Sequence, residues 1–308
     1  MVELKSMSKP KPALSSLESM EGAAVELSKL HEGADGSRAS APSRAAEKLI
    51  VTGKGDPIQR TFEGRSALET VIGEDMRQRI LETDLLPWRM ICALRMFSDT
   101  GGGAIGTGWL AGPRTIVTAG HCVHHQAFFG GWARRIEVSA GRDAATFPFE
   151  TVTATRFSSV DKWVEDADPD FDIGCIHLEK PLGDVTGWFA IASLLPAELE
   201  SHMVNISGYP GDRGAGTEQY FHKNRVLNVG ARRIFYDVDT AGGQSGAPVW
   251  IHKSENAPPI VIGIHAYGTG GTPFDLGITA NSAPRIIPEV FDTIAAWIDV
   301  DNAGSGTG

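Results

Sequence analysis

Residues 118–122 read Thr-Ala-Gly-His-Cys, and their histidine, His121, follows directly on an apolar run typical of a β-strand. Residues 242–248 read Gly-Gly-Gln-Ser-Gly-Ala-Pro and place Ser245 in a glycine-rich turn that continues into another strand. A serine hydroxyl is a poor nucleophile at neutral pH until a neighbouring base accepts its proton. The two turns therefore predict a fold of short strands that brings an imidazole to a hydroxyl.

An aspartate at the start of a third apolar run completes this set. Asp172 precedes Ile-Gly-Cys-Ile, and a buried carboxylate in such a place can orient the imidazole of a base. Asp170, in the same acidic segment, is the alternative. The chain order His121, Asp172, Ser245 differs from the order in subtilisin-type and α/β-hydrolase-type sites.

The glycines around Ser245 have a predicted role of their own. They let the backbone curl so that amide groups point inward. We expect the N–H groups of Gly243 and Ser245 to form an oxyanion hole, the pair of donors that stabilises negative charge on a reacting carbonyl oxygen.

The rest of the chain reads as many short apolar strands separated by turns, which favours an all-β barrel or sandwich. The predicted strands are residues 90–97, 107–110, 115–119, 136–140, 151–157, 173–178, 203–208, 233–238, 247–251, 260–266 and 277–279. One helix is predicted near residues 287–299, where the apolar side chains recur on one face. Residues 1–69 read as a largely irregular leader, 70–301 as one domain, and 302–308 as a flexible tail.

Composition narrows the range of partners. The 308 residues carry a net charge of −10 and no basic arm, which disfavours nucleic acid. No apolar run approaches the roughly 20 residues of a membrane helix, and the first thirty residues lack the apolar core of a secretory signal. Three cysteines, Cys92, Cys122 and Cys175, allow at most one internal disulfide, and the sequence leaves open whether any forms.

Three further motifs are rejected as ligand sites. Residues 166–172, the acidic segment that holds Asp172, lack the glycine and glutamate of a calcium loop. Residues 101–106 match a dinucleotide-binding glycine pattern, but the glycines and proline that follow preclude the helix it requires. His121, His124 and His125 have no matching carboxylate or thiolate spacing for a metal. We therefore expect neither a metal nor a cofactor.

These segments together resemble the chymotrypsin-like serine proteases, and within them the bacterial glutamyl endopeptidases. The resemblance runs from about residue 70 to the terminal helix. It implies two six-stranded antiparallel β-barrels, at about 85–180 and 185–285, with a triad of His121, Asp172 and Ser245 between them. It also implies hydrolysis of polypeptides through an acyl-enzyme, by a protein that is secreted or periplasmic although no signal peptide is recognisable. We expect the protein to be a monomer.

The resemblance leaves two substrate specificities in competition. Thr240 and His265 match the positions with which glutamyl endopeptidases hold a substrate carboxylate, so cleavage after Glu, with Asp second, is favoured. Asp239 lies six residues before Ser245, where trypsin-like enzymes carry the acid that binds Lys or Arg. A third alternative is a binding protein that keeps the fold without activity.

The resemblance also indicates that the leader is a propeptide. In this family a propeptide is removed and the new α-amino group helps neutralise the substrate's acidic side chain, which assigns substrate binding to the segment around Val71. Cleavage after Glu69 fits self-processing, and Glu63 is an alternative. The chain departs from the family at one position. Relatives often join the cysteine that corresponds to Cys122 by a disulfide to a second cysteine, and this chain has Gly106 at the second position.

Overall fold

A computed structural model describes residues 4–6, 70–99, 101–200, 202–254 and 257–303, without the side chains of residues 4–6 and 274. Most of the strands lie in two sheets, one from each half of the chain. Nearly all neighbouring strands are antiparallel, which short hairpin connections permit.

The strands of the first sheet close into a barrel. They are β1 (Ile91–Phe97), β2 (Gly103–Leu110), β3 (Thr115–Thr118), β4 (Arg135–Ala140), β5 (Val152–Ala154), β6 (Arg156–Val160) and β7 (Gly174–His177). Their order across the sheet is β6-β7-β3-β2-β1-β4-β5. Only Thr155 separates β5 from β6, so one bent segment forms both edges of the sheet and closes a ring of six strands.

The second sheet forms a second ring of six. Its strands are β8 (Met203–Gly208), β9 (Tyr220–Val229), β10 (Arg233–Tyr236), β11 (Pro248–Ile251), β12 (Ile260–Ile264) and β13 (Asn281–Pro284), in the order β12-β11-β8-β9-β10-β13. A bridge between Gly263 and Arg285 joins the outer strands. The two six-stranded barrels expected from the resemblance are confirmed.

Shorter elements decorate the barrels. Short strands are Leu4–Ser6 on β6, Gln78–Arg79 on β9, Ala190–Ile191 parallel to β12, and the pair His124–His125 and Gly131–Trp132. Short α-helices are Gly120–Val123, Gln126–Phe129, Asp161–Asp166, Gly183–Thr186 and Pro196–Leu199. The 3-10 helices are Trp88–Met90, Pro169–Phe171, Gly214–Gly216, Thr269–Gly271 and Phe274–Leu276.

Several predicted boundaries are wrong. The strand expected at 277–279 lies at Asn281–Pro284, and the strand expected at 151–157 is divided between β5 and β6. Strand β9 was not predicted, because it is a long hairpin arm whose side chains are mostly not buried and carry little apolar alternation. Residues 4–6 of the expected irregular leader form a strand; the rest of that leader lies outside the described residues.

The C-terminal helix, Pro288–Ala303, packs its apolar face on the core of the first barrel. It extends past the predicted end at 299 and includes Asn302 and Ala303 of the expected tail. Its last turn is anchored by Asp301, which accepts a hydrogen bond from Thr115 Oγ1 at 2.6 Å and pairs with His177 Nδ1 at 2.8 Å. The opposite ring nitrogen of His177 lies 2.8 Å from Ser158 Oγ.

Candidate active site

His121 is positioned by the end of strand β3 and by its bond to Asp172. The short helix Gly120–Val123 begins two residues after β3, and His121 Nδ1 lies 2.8 Å from Asp172 Oδ2. The other carboxylate oxygen accepts the backbone N–H of His121 at 2.9 Å. A Cβ at Gly120 would lie 2.6 Å from the Trp163 ring, so only glycine lets this turn approach that ring. Asp172 therefore fixes both the backbone and the ring of His121.

The electrostatic surroundings keep His121 basic. Burial acts to lower the pKa of the imidazole, but the Asp172 carboxylate and the adjacent Cys122 hold that pKa well above its usual value of 6.5. Asp172 itself is fully buried. A basic imidazole with a buried carboxylate behind it can take a proton from a hydroxyl.

The turn that carries Ser245 is tied to the first barrel at the level of His121. The Ser245 carbonyl accepts the Thr107 N–H at 2.8 Å and lies 3.7 Å from the thiol of Cys122, the residue next to His121. Thr107 Oγ1 donates to the carbonyl of Gly243 at 2.8 Å. These bonds bring the serine turn of the second barrel against the histidine turn of the first.

Two glycines give the serine turn its shape. Gly243 and Gly246 have φ of +101° and +87°, a region that side-chain-bearing residues rarely adopt. A Cβ at Gly246 would lie 2.1 Å from the Thr107 carbonyl oxygen, so no other residue fits there. Within the described residues the Gly243 N–H donates to no protein acceptor, which leaves it available to a ligand.

His265 follows strand β12 and borders the serine turn. Its carbonyl accepts the Gly246 N–H at 2.6 Å, and its own N–H donates to the carbonyl of Ala247 at 2.8 Å. The ring Nδ1 lies 2.7 Å from the Tyr236 hydroxyl. Burial, with a smaller contribution from His121, lowers the pKa of His265 to about 3, so the ring is neutral at ordinary pH.

Both predicted substrate-binding side chains of the second barrel carry a buried polar atom that lacks a partner in the part of the chain that the structure describes. These atoms are Nε2 of His265 and Oγ1 of Thr240. Both residues are fully buried, so neither atom can bond to bulk water instead. An unsatisfied buried polar group costs about 1–3 kcal/mol, which a suitable ligand group would recover.

Asp239 is occupied by the chain itself. Its carboxylate accepts the N–H groups of Ile72 at 2.7 Å and Met76 at 3.0 Å, and its side chain is 2% exposed. His222 Nδ1 is a further neighbour at 3.4 Å. No pattern in the sequence pointed to these contacts, because they join backbone groups to a residue far along the chain.

The segment around Val71 lies beside the same loop. The Thr70 carbonyl accepts Asn281 Nδ2 at 2.8 Å and the Thr240 N–H at 3.4 Å. Arg77, almost fully buried, bridges Asp75 and Asp212 and holds the end of the segment. Val71 thus lies between two residues, Thr70 and Ile72, that bond to the loop before Ser245.

The alternative acid, Asp170, and the histidine His125 bond to groups outside the candidate site. Asp170 donates its backbone N–H to the Asp168 carboxylate at 3.0 Å, and burial raises the pKa of its own carboxyl. His125 Nδ1 accepts the N–H of Phe128 and so caps a short helix. The acidic segment is not extended, because it contains the helices Asp161–Asp166 and Pro169–Phe171.

One cluster of possible metal ligands includes none of the predicted site residues. Among the described residues, Cys175, His177 and Asp301 form the one group whose potential metal-ligand atoms lie within 4.8 Å of one another. The three cysteines are buried and unpaired. No helix in the described ranges is both long and apolar enough to cross a bilayer.

Comparisons with known proteins extend over both barrels. The profile of the family described as Trypsin matches residues 87–283. A glutamyl endopeptidase of Bacillus licheniformis is 34% identical over 255 residues, covering 80% of this chain and 76% of the relative. A Bacillus subtilis protein named extracellular metalloprotease is 31% identical over 255 residues, covering 80% and 78%. The solved structure of a Glu endopeptidase in complex with MPD covers 76% of this chain and 99% of its own, with a TM-score of 0.63 at 25% identity.

Proposed function

The chain belongs to the trypsin family of serine proteases. We therefore propose that the protein is an endopeptidase that cuts polypeptides after glutamate, with aspartate second, through an acyl-enzyme. It is made as a latent precursor. The name of the Bacillus subtilis relative supports an extracellular place of action.

The proposed chemistry starts with proton transfer from Ser245 to His121. Ser245 Oγ attacks the scissile carbonyl, His121 accepts its proton, and the same proton then passes to the leaving amine. Asp172 keeps the Nδ1 proton of His121 directed toward itself, as the 2.8 Å contact supports, so that Nε2 is the basic atom. Water repeats the cycle to release the acid product.

We assign the oxyanion hole to the N–H groups of Gly243 and Ser245. The left-handed backbone at Gly243 and the absence of a protein acceptor for its N–H, among the described residues, support this role. Removal of one oxyanion donor typically lowers kcat by about 10²–10³.

The preference for glutamate rests on the pair of unsatisfied buried atoms, His265 Nε2 and Thr240 Oγ1. We place both on one wall of the substrate pocket, because each belongs to a segment that borders the serine turn. A neutral imidazole N–H and a hydroxyl can both donate to a carboxylate. A lysine or arginine side chain only donates, so the Thr240 hydroxyl could accept from it, but an N–H at His265 Nε2 would stay unsatisfied.

The alternative specificity for Lys or Arg requires a carboxylate that faces the substrate. Asp239 already accepts two backbone N–H groups, from Ile72 and Met76. A substrate cation would have to compete with these bonds in a buried site. This contact therefore favours the assignment of Asp239 to the protein's own N-terminal segment.

We propose that latency depends on the chain before Thr70. Asp239, Asn281 and Arg77 hold residues 70–77 beside the loop that leads to Ser245. Cleavage after Glu69 would create a positive α-amino group there, and a positive charge beside the pocket would assist the binding of an acidic side chain.

A panel of peptides that differ only in the residue before the scissile bond tests the proposal. We expect kcat/KM to be highest for Glu, lower for Asp and lowest for Lys and Arg. Ser245→Ala is the control and should abolish turnover of the Glu peptide. Preference for Lys or Arg, or turnover unchanged in the Ser245 variant, would contradict the proposal.

A further inference from the structure

The Tyr236 hydroxyl stands directly behind His265 in the core of the second barrel. Tyr236 ends strand β10 and pairs with Val226 of β9 and Asn281 of β13, so its position is set on both sides. Its side chain is fully buried. The hydroxyl lies 2.7 Å from His265 Nδ1, an ordinary hydrogen-bond distance for a hydroxyl donor.

The location of one proton decides what His265 can offer a substrate. A neutral imidazole carries its proton on only one ring nitrogen, and the other nitrogen is an acceptor. If Nδ1 carried the proton, Nε2 would present a lone pair to a substrate carboxylate and repel it. If Nε2 carries the proton, the same atom donates a hydrogen bond to that carboxylate.

A phenol adjacent to Nδ1 controls this choice because its O–H can donate to the nitrogen lone pair. We propose that Tyr236 is a positioning residue: its hydroxyl donates to Nδ1 of His265 and keeps the ring proton on Nε2, facing an acidic substrate side chain. The inference rests on the proposed preference for glutamate. It adds a residue, outside the predicted pocket, that sets the polarity of that pocket.

A hydrogen bond donated by Tyr236 to His265 Nδ1 agrees with the two unsatisfied atoms of the pocket. His265 Nε2 has no partner among the described residues, and neither has Thr240 Oγ1. With the proton on Nε2, both can donate, which matches a ligand group that only accepts. The neutral state of the buried ring supports the same view, since a doubly protonated ring would need no such control.

The test compares Tyr236→Phe with the parent enzyme on two peptides that differ only in Glu or Gln before the scissile bond. Loss of one hydrogen bond that fixes the donor should lower the Glu-to-Gln ratio of kcat/KM about tenfold, mainly through KM. Tyr220→Phe is the matched control, because it removes another buried tyrosine hydroxyl of the same barrel, bonded to Glu218. The control should leave the ratio unchanged.

Two further measurements keep the outcomes distinct. Labelling of Ser245 by a fluorophosphonate reports a folded site in every variant that keeps this serine, and nitrogen NMR of the His265 ring in Ser245→Ala reports its tautomer directly. A proton on Nε2 that shifts toward Nδ1 in the added Tyr236→Phe background supports the inference. A proton on Nδ1 with Tyr236 present, or an unchanged ratio in Tyr236→Phe, overturns it. If His265→Gln labels normally yet keeps the Glu preference, the assignment of His265 to the pocket fails and this inference with it. A parent enzyme without a Glu preference would instead overturn the proposed function.

Discussion

At the scale of single residues, the Asp172 carboxylate does two things at once. It bonds the ring of His121 and the backbone N–H of the same residue, so ring orientation and turn geometry depend on one side chain. Because Asp172 is fully buried, water screens its charge little, and its effect on His121 is correspondingly strong. Asp170, two residues earlier, instead bonds through its backbone N–H to Asp168.

Asp172→Asn should lower kcat by about 10³–10⁴, because an amide can hold the wrong tautomer of His121. It should also move the acid limb of kcat/KM to lower pH. His121 must be neutral to act as a base, and its pKa is held above 6.5 by Asp172 against the effect of burial. Without that carboxylate, burial lowers the pKa.

Activity profiles from about pH 4 to 9 for the parent and the variant measure both effects. Asp170→Asn is the control and should leave the limb in place. An acid limb that moves in Asp170→Asn but not in Asp172→Asn would reverse the assignment of the two acids.

At the scale of elements, polar contacts between distant segments hold the parts that carry the site. The C-terminal helix has an apolar face, but its last turn is fixed by the buried group of Asp301, His177, Thr115 and Ser158. The histidine turn has no disulfide to secure it. It is held instead by the two bonds from His121 to Asp172, by packing and by the contact between Cys122 and the Ser245 carbonyl.

Asp301→Ala should destabilise the protein by about 2–4 kcal/mol, because it leaves the Thr115 hydroxyl and the His177 ring buried without their acceptor. Chemical denaturation measures the change in the free energy of unfolding. Asp292→Ala, on an exposed position of the same helix, should change it by less than about 0.5 kcal/mol. Equal losses in both variants would show that the buried group contributes nothing specific.

Gly106→Cys should form a disulfide with Cys122. A Cβ built at Gly106 lies 3.0 Å from Cys122 Sγ. About 3 Å is also the separation expected between a Cβ and the partner sulfur when the S–S bond is about 2.05 Å. The cross-link closes a short loop and should raise the free energy of unfolding by about 2–3 kcal/mol.

Thiol titration and unfolding with and without reductant check this outcome. Gly106→Ser is the matched control, since it adds a side chain of similar size that cannot cross-link. Two cysteines that stay reduced under air, with a loss of stability equal to that of the serine variant, would contradict the prediction.

At the scale of the whole molecule, the residues of the candidate site come from both barrels. His121 and Asp172 belong to the first barrel, and Ser245 and His265 to the second. Thr107 of strand β2 joins them, because its N–H binds Ser245, its hydroxyl binds Gly243 and its carbonyl accepts Thr118 Oγ1. The alignment of the proposed nucleophile and base therefore depends on this contact between the barrels.

Thr107→Val keeps the shape of the side chain and removes its hydroxyl, which leaves the Gly243 carbonyl and the Tyr209 N–H without their partner. We expect a stability loss of about 1–3 kcal/mol. We also expect kcat to fall more than KM rises, because the oxyanion turn shifts while the pocket wall remains. Steady-state kinetics on the Glu peptide and a denaturation curve measure the two effects. A fall in stability with unchanged kcat would separate Thr107 from the alignment of the site.

The amino-acid sequence alone determined the strand-rich fold, the three side chains proposed for catalysis and the position of the terminal helix. These features can be predicted from short stretches of sequence. Apolar runs between glycine and proline turns indicate strands, and the short motifs contain the residue types that the proposed chemistry requires. Strand β9 escaped this reasoning because only two of its ten residues are buried, so its sequence shows little apolar alternation.

Only the tertiary structure decided which groups each buried polar atom meets. It paired Asp239 with the N–H groups of Ile72 and Met76, placed Tyr236 behind His265 and joined Asp301 to His177. These contacts span from 29 to 167 residues of chain. Hydrogen bonds depend on positions to within a few tenths of an ångström, and only the closure of both barrels sets positions that finely.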